Sequence, residues 1–143
     1  MATHHLDDKK PHAFWDNSYP ARIRIKPGDT VVFETLEASA RQMTPTSTSE
    51  ALKTLSFDPI HPLTGPVYVE GAQPGDGLGV EVISIKHKGW GWNAVIPGFG
   101  LLGEDFPNPY LHHYKLTGNR CIFRDDILIP YEPFCGVMGV GPK

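Results

Sequence analysis

The sequence is organised around His61-Pro-Leu-Thr-Gly-Pro-Val-Tyr-Val-Glu-Gly-Ala-Gln-Pro-Gly-Asp76. This stretch begins with a histidine among conformationally restricted residues, since proline fixes φ and glycine permits positive φ. It continues through a short β-rich run to a Pro-Gly-Asp turn. A histidine held firmly at the entrance to a strand is a better functional candidate than one on a mobile loop. The alternative interpretation is a structural turn that carries a surface histidine.

Length and composition indicate one turn-rich β domain. The chain has 143 residues, with 15 glycines and 14 prolines spread between hydrophobic segments. The net charge of −3 provides no basic patch for nucleic acid, and no Lys/Arg cluster indicates a membrane surface. No long apolar run predicts a membrane span, and the first residues lack the apolar region of a signal peptide. We therefore expect a soluble cytoplasmic protein.

The chain divides into a polar arm and a β-rich domain. Residues 1–11 are polar, so we expect them to be frayed or arm-like, and residues 12–143 form the domain. Alternation of apolar and polar residues, with β-branched and aromatic enrichment, predicts most of the strands. They are Ala21–Ile25, Thr30–Leu36, Val67–Val69, Gly79–His87, Trp90–Ile96, Arg120–Phe123 and Ile127–Ile129. A short helix capped by Ser49 is expected over residues 49–55.

Two segments have further expected roles. Pro74-Gly-Asp76 repeats Pro27-Gly-Asp29, and both triplets lie between strand-like runs. We interpret Asp29 and Asp76 as turn residues, and the repeat favours hairpin or sandwich construction. The apolar, glycine-spaced residues 133–143 resemble backbone that pairs with a partner chain or with a missing C-terminal half.

Three kinds of chemistry fit the side chains. Blue copper needs two histidines with Cys and Met, but no histidine follows Cys135 and Met138, so copper is disfavoured. A hydrolase needs an activated nucleophile, a proton donor and oxyanion donors. The side chains that could supply them are His61, Asp16, Glu34, Glu70, Glu104 and Asp105. A binding module could instead stack a carbohydrate or aromatic ligand on Trp15, Trp90 and Trp92, although core packing explains tryptophans equally well.

Six motifs, taken in order, resemble the N-terminal half of the acetamidase/formamidase family. They are Trp15-Asp-Asn17, Pro27-Gly-Asp-Thr-Val-Val-Phe-Glu34, His61–Ala72, Pro74-Gly-Asp76, Ile96-Pro-Gly-Phe-Gly-Leu-Leu102 and Pro133–Pro142. The resemblance covers nearly all of the chain from His12 onward. It implies a mainly β fold of sandwich or jelly-roll character with long loops. It also implies hydrolysis of short linear amides such as formamide and acetamide to a carboxylate and ammonia.

The resemblance also implies an oligomer and a divalent metal, with zinc expected. Family members are about twice as long, and their second half carries further metal-binding and catalytic residues. This chain is therefore expected to form a homo-oligomer or to pair with a C-terminal half. The competing interpretation is a non-catalytic β-sandwich module that keeps the family scaffold for binding or assembly.

Site residues follow from the motifs and from their rigid setting. His61 is expected to be catalytic and to contact the metal. Glu34 is a second catalytic candidate, although its alternative is a solvated residue on the outer face of a strand. Asp16 is a second metal ligand. The turn at Gly98, Phe99 and Gly100 is expected to line the substrate pocket, because glycine lets another group approach the backbone.

Overall fold

The computed structural model describes residues 1–142 and contains eight strands and one short 3-10 helix. The strands are β1 (Thr3–Leu6), β2 (Ile23–Ile25), β3 (Thr30–Phe33), β4 (Val67–Val69), β5 (Trp90–Val95), β6 (Tyr110–Thr117), β7 (Arg120–Arg124) and β8 (Ile127–Pro130), and the helix is Ser49–Thr54. The predicted mainly β fold class is confirmed. Within residues 1–142, no helix has the length and the apolar character that a membrane span requires.

The chain folds as two compact units, which we describe separately. Unit 1 contains Met1–Arg41, Phe57–Ile83 and Gly136–Lys143. Its strands form two parallel pairs, β1 with β3 and β2 with β4. Unit 2 contains Gln42–Ser56 and Ser84–Cys135, and its strands form one antiparallel sheet in the order β5-β6-β7-β8.

The two Pro-Gly-Asp triplets fold into the same turn. In each, the aspartate N–H donates to the carbonyl three residues earlier, at 3.0 Å in both Asp29 to Lys26 and Asp76 to Gln73. The aspartate carboxylate then accepts the N–H of that same residue, at 3.1 Å for Asp29 and 2.8 Å for Asp76. The glycines adopt φ of 88° and 102°, which explains why glycine follows proline in each turn. The interpretation of both aspartates as turn residues is confirmed.

Asp29 also ties the amino-terminal strand to β3. Its carboxylate accepts the main-chain N–H of Ala2 at 2.7 Å and the Nε2–H of His4 at 3.0 Å. These hydrogen bonds lower the pKa of Asp29 far below its ordinary value, with the Ala2 bond the largest cause. The carboxylate is therefore ionised throughout the neutral and mildly acidic range.

The expectation that residues 1–11 fray is wrong, because their polar groups find partners within unit 1. β1 pairs with β3 along its full length, and Leu6 is buried. The Arg22 guanidinium bonds both the carboxylate and the carbonyl of Asp7, and Arg41 pairs with Asp8 at 3.1 Å. The hydrogen bond from Arg22 is the main reason why the pKa of Asp7 is lowered. Residues 3–6 of this polar segment thus form a strand that pairs with β3.

Unit 2 has a small core between the 3-10 helix and the antiparallel sheet. Met43, Leu52 and Leu111 are buried together, with Trp92 packed against them. The helix is confirmed, but the predicted Ser49 cap is wrong. Thr48 occupies the N-cap without a side-chain bond, and the Ser49 hydroxyl instead accepts the N–H of Leu111 in β6 at 3.0 Å. Trp92 therefore has the core-packing role that competed with a ligand platform.

The predicted long strand over Gly79–His87 is wrong, since this segment has no strand pairing among the described residues. Its β-branched sequence favours extended backbone, but a strand exists only where a second strand completes the hydrogen-bond ladder. The strand β6 was not predicted, because His112-His113 interrupts the apolar alternation. The other six predicted strands are confirmed with small shifts at their ends.

We expect Asp29→Ala to release β1, whereas Asp76→Ala removes the same local turn bond without affecting a neighbouring strand. Amide hydrogen exchange should become several-fold faster at residues 3–6 in Asp29→Ala only. In the parent chain, Asp29 has a pKa below 3.8, so its contribution is complete above pH 3.8 and disappears as the pH falls toward the lower folded value. Equal protection of residues 3–6 in the two variants would contradict the role of Asp29.

Candidate functional site

The loop at residues 61–66 is fixed by main-chain hydrogen bonds to other segments of unit 1. The His61 N–H donates to the Ala38 carbonyl at 2.8 Å. Leu63 forms a two-way bridge with His12, at 3.1 Å for His12 N–H to the Leu63 carbonyl and 2.8 Å in the reverse direction. The Arg22 N–H donates to the Pro66 carbonyl at 2.9 Å. The expectation of a firmly held loop is therefore confirmed.

Glu34 lies next to this loop through its main chain. Its carbonyl accepts the Thr64 hydroxyl at 2.8 Å, and its N–H donates to the Leu6 carbonyl at 2.8 Å. The backbone at Glu34 is consequently fixed on both sides, while the residue itself is exposed. The structure thus brings the segments that carry Glu34 and His61 together, as a shared site requires.

His61 has a backbone conformation that is unusual for its residue type. Its φ is 60°, in the left-handed region that costs a residue with a Cβ roughly 1–2 kcal/mol. The surrounding hydrogen bonds hold it there, and His61 is exposed to solvent. Imidazole can accept or donate a proton near neutral pH, or bind a metal through a ring nitrogen. A strained, exposed and fixed histidine fits a functional role better than a packing role.

Asp16 lies in a separate turn of unit 1. Its carboxylate accepts the Ser18 N–H at 2.7 Å, and the bonds from Ser18 lower its pKa. The carboxylate is ionised at neutral pH, as a metal ligand must be. Glycines of the closing segment lie against this turn. A Cβ added at Gly139 would be 3.2 Å from the Trp15 ring, and one at Gly141 would be 3.2 Å from the Asn17 main-chain nitrogen.

The closing segment makes a contact within unit 1 that the sequence did not predict. Residues 136–142 form no strand, and the glycine spacing instead permits close contact with residues 15–17. A side chain at Gly139 or Gly141 would require its neighbour to move by a few tenths of an ångström, so glycine permits the closest approach at both positions. Residues 139–141 of the last motif thus meet the first motif within unit 1.

His12 was not identified as a site residue from the sequence, although it lies against the loop at 61–66. Its Nδ1 bonds the Phe14 carbonyl at 2.9 Å. Its Nε2 lies 3.6 Å from the position of a Cβ added at Gly65. The sequence offered one signal, which is a histidine just before the aromatic motif that ends at Asn17.

The turn at residues 98–100 lies in unit 2. Gly98 and Gly100 have φ of 75° and 105°, and the Phe99 N–H donates to the Ile96 carbonyl at 3.0 Å. Phe99 lines an open apolar depression of about 330 Å³. Its other lining residues are Ala94, Val95, Leu101, Leu102, Gly103 and Phe106, and its leucine and phenylalanine side chains are more than half exposed. The role of this surface in substrate binding stays a prediction.

A metal ion needs more ligands than the sequence candidates supply. Catalytic zinc has three protein ligands and a water. Within residues 1–142, no three histidine, cysteine, aspartate or glutamate side chains form a group that could hold an ion. The described residues alone do not fit a complete zinc site, so His61 and Asp16 stay predicted ligands.

Comparison with known proteins gives the same family as the motifs. The profile of the Acetamidase/Formamidase family matches residues 2–143. The chain belongs to the acetamidase/formamidase family. The resemblance predicted from the six motifs is therefore confirmed.

Individual relatives support this assignment. An acetamidase from Mycolicibacterium smegmatis is 29% identical over 147 aligned positions, which cover 92% of this chain and 36% of that protein. The crystal structure of an acetamidase from Bacillus halodurans matches with a TM-score of 0.81 and 31% identity, covering 88% of this chain and 42% of that chain. A predicted acetamidase/formamidase from Thermoanaerobacter tengcongensis matches with a TM-score of 0.82 and 25% identity, covering 91% and 43%.

The coverage shows that this chain spans well under half the length of these relatives. The matched region is their N-terminal part. The mainly β fold of acetamidase/formamidase type is confirmed for this part.

We expect Gly141→Ala to lower the free energy of unfolding by about 1–3 kcal/mol, the usual effect of overpacking. Gly141 does not have a left-handed φ, so the expected loss of stability comes from the close approach of the added Cβ to the Asn17 main chain. Gly136→Ala is the control, because nothing lies within 4 Å of an added Cβ there. Urea denaturation measures both variants. Equal stability of the two would contradict the packing of residues 139–141 on residues 15–17.

We expect His61→Gly to be more stable than His61→Ala by about 1 kcal/mol, since glycine adopts positive φ without the steric cost of a Cβ. Both variants remove the imidazole, so their difference isolates the backbone. Thermal or urea denaturation provides the comparison. A more stable alanine variant would show that residue 61 does not hold φ near 60°.

Proposed function

We propose that this chain supplies the N-terminal part of an amidase that hydrolyses short linear amides, such as formamide and acetamide. The reaction is RCONH₂ + H₂O → RCOO⁻ + NH₄⁺. The observation that supports it most strongly is family membership across residues 2–143, combined with a fixed loop that presents His61 to solvent. The rest of the active protein would correspond to the part of the relatives that residues 1–143 do not match.

His61 is the proposed proton-transfer residue. Amide hydrolysis requires removal of a proton from the attacking water and delivery of a proton to the leaving nitrogen. A histidine on a loop fixed by hydrogen bonds at residues 61, 63, 64 and 66 can hold one position through both steps. Glu34 is the proposed second acid–base group, because the same loop fixes its backbone.

Zinc is the proposed metal, and residues 1–142 would supply only some of its ligands. If zinc is bound, it would supply Lewis-acid activation of water or carbonyl, with His61 and Asp16 as two of its ligands, and proton transfer would then be the role of Glu34. The remaining ligands would have to come from outside residues 1–142, since these residues contain no group of three such side chains that could hold an ion. We also propose that Gly98, Phe99 and Gly100 belong to the substrate pocket. Homo-oligomer formation and cytoplasmic location stay predictions from the sequence.

A test of this function compares exposed histidines in one assembly. The chain is co-expressed with the C-terminal part of the Bacillus halodurans acetamidase, and ammonia release from formamide and acetamide is measured. We expect His61→Ala to lower kcat by about 100-fold or more, the usual contribution of a positioned acid–base group. His5→Ala is the matched control, because His5 is an exposed histidine in β1 outside the proposed site.

Two results would contradict the proposal. Full activity in His61→Ala would exclude the assigned role of this residue. A folded assembly without ammonia release from either amide would exclude amidase activity and favour the non-catalytic assembly module.

A further inference from the structure

The segment Gly77-Leu-Gly-Val-Glu-Val-Ile83 has the sequence of a strand but lacks strand contacts. Its apolar residues Leu78, Val80, Val82 and Ile83 are between 50% and 70% exposed. No main-chain hydrogen bond links residues 77–83 to another part of the described chain. A Cβ added at Gly77 or Gly79 would meet nothing within 4 Å. The segment therefore has exposed apolar side chains and no strand partner among the described residues.

The duplicated turn shows what this segment lacks. The first Pro-Gly-Asp turn leads into β3, and β3 pairs with β1, whose first residues are bound by Asp29. The second turn has the same internal hydrogen bonds and leads into residues 77–83, which have no equivalent of β1 in the described chain. The local signal for a strand is thus complete, and only the pairing segment is absent.

The sequence of the segment indicates what kind of partner covers it. Val82 and Ile83 are adjacent, so they point to opposite faces of an extended chain. Leu78, Val80 and Val82 share one face, which is apolar throughout, whereas Glu81 lies with Ile83 on the other face. An apolar face is typical of a strand that is covered by another layer of the fold. A second copy pairing through the same segment would complete one edge of the ladder but leave this apolar face in water. A partner that brings its own hydrophobic layer fits better.

The unmatched part of the solved relatives is a partner of this kind. Two solved relatives share the fold of this chain over 88% and 91% of its length. The matched regions make up only 42% and 43% of the relatives' own chains. Their remaining part is long enough to contribute both strands and a covering layer.

We propose that residues 77–83 form the docking strand for the C-terminal part of a family amidase, which adds a β-strand to this segment. This inference rests on the proposed function, because it names the surface through which the two parts of the amidase assemble. Addition of a strand to an unpaired edge is a recurrent mode of protein recognition, driven by main-chain hydrogen bonds.

The experiment uses the full 143-residue chain and the C-terminal part of the Bacillus halodurans acetamidase as the probe. Native mass spectrometry detects the complex, and amide hydrogen exchange locates it. We expect fast exchange at residues 78–83 in the chain alone and strong protection in the complex. Absence of a complex, or a complex in which these amides still exchange fast, would overturn the proposal. Protection of the segment in a self-associated chain would also overturn it, since a second copy would then be the partner.

Proline substitution tests whether main-chain pairing holds the complex together. Successive N–H groups of a strand point to opposite edges, so Val82→Pro and Ile83→Pro each remove a donor from a different edge. At least one of them should weaken binding about tenfold, as expected for an unmade hydrogen bond in a buried sheet. Val82→Ile and Ile83→Val are the matched controls, because they keep the N–H and the β-branched side chain. Equal binding by all four variants would contradict strand addition.

Two readouts separate this proposal from the amidase function. The proline variants should leave the thermal unfolding of the free chain unchanged, because the segment forms no ladder there; a destabilised free chain would show that it already pairs. A protected segment in a complex without ammonia release supports the docking strand and contradicts the amidase function. Ammonia release from a complex with an unprotected segment supports the amidase function and overturns the docking strand.

Discussion

The two main-chain hydrogen bonds between His12 and Leu63 are the contact on which the geometry of unit 1 depends. They place the loop at residues 61–66 beside the amino-terminal third of the chain. The neighbouring bond from Arg22 to Pro66 continues directly into the parallel pairing of β2 with β4. The Thr64 hydroxyl then fixes the backbone of Glu34. One loop therefore sets the register of a sheet and the position of two candidate catalytic residues.

This arrangement explains how a chain with a small core can present a defined site. The residues around the site are held by main-chain bonds and paired carboxylates rather than by deep burial. Such bonds fix direction as well as distance, which acid–base catalysis requires. The apolar surface that a larger core would cover is concentrated instead in exposed segments such as residues 77–83. Our proposal is that this exposed apolar surface serves assembly with the part of the family fold that residues 1–143 do not match.

Local chemistry in the sequence predicted the turns, most of the strands and the rigidity at His61, because proline, glycine and β-branched residues act over a few positions. It did not predict β1, since the stability of Thr3–Leu6 comes from Asp29 and β3, which are remote in sequence. It wrongly predicted a strand at Gly79–His87 for the same physical reason, because a ladder requires a partner that local sequence does not specify. A complete set of zinc ligands could not be predicted either, because the ligands of a metal site need not lie in one segment of the sequence.

The most direct test of a preformed site is residue-resolved amide hydrogen exchange of the 143-residue chain by itself. We predict slow exchange at the amides of His61 and Leu63, which donate to Ala38 and His12, in the same sample in which residues 78–83 exchange fast. That result would show that the loop is fixed by this chain alone, before any partner binds. Equally fast exchange at His61, Leu63 and residues 78–83 would contradict it, because the candidate site would then have no preformed geometry.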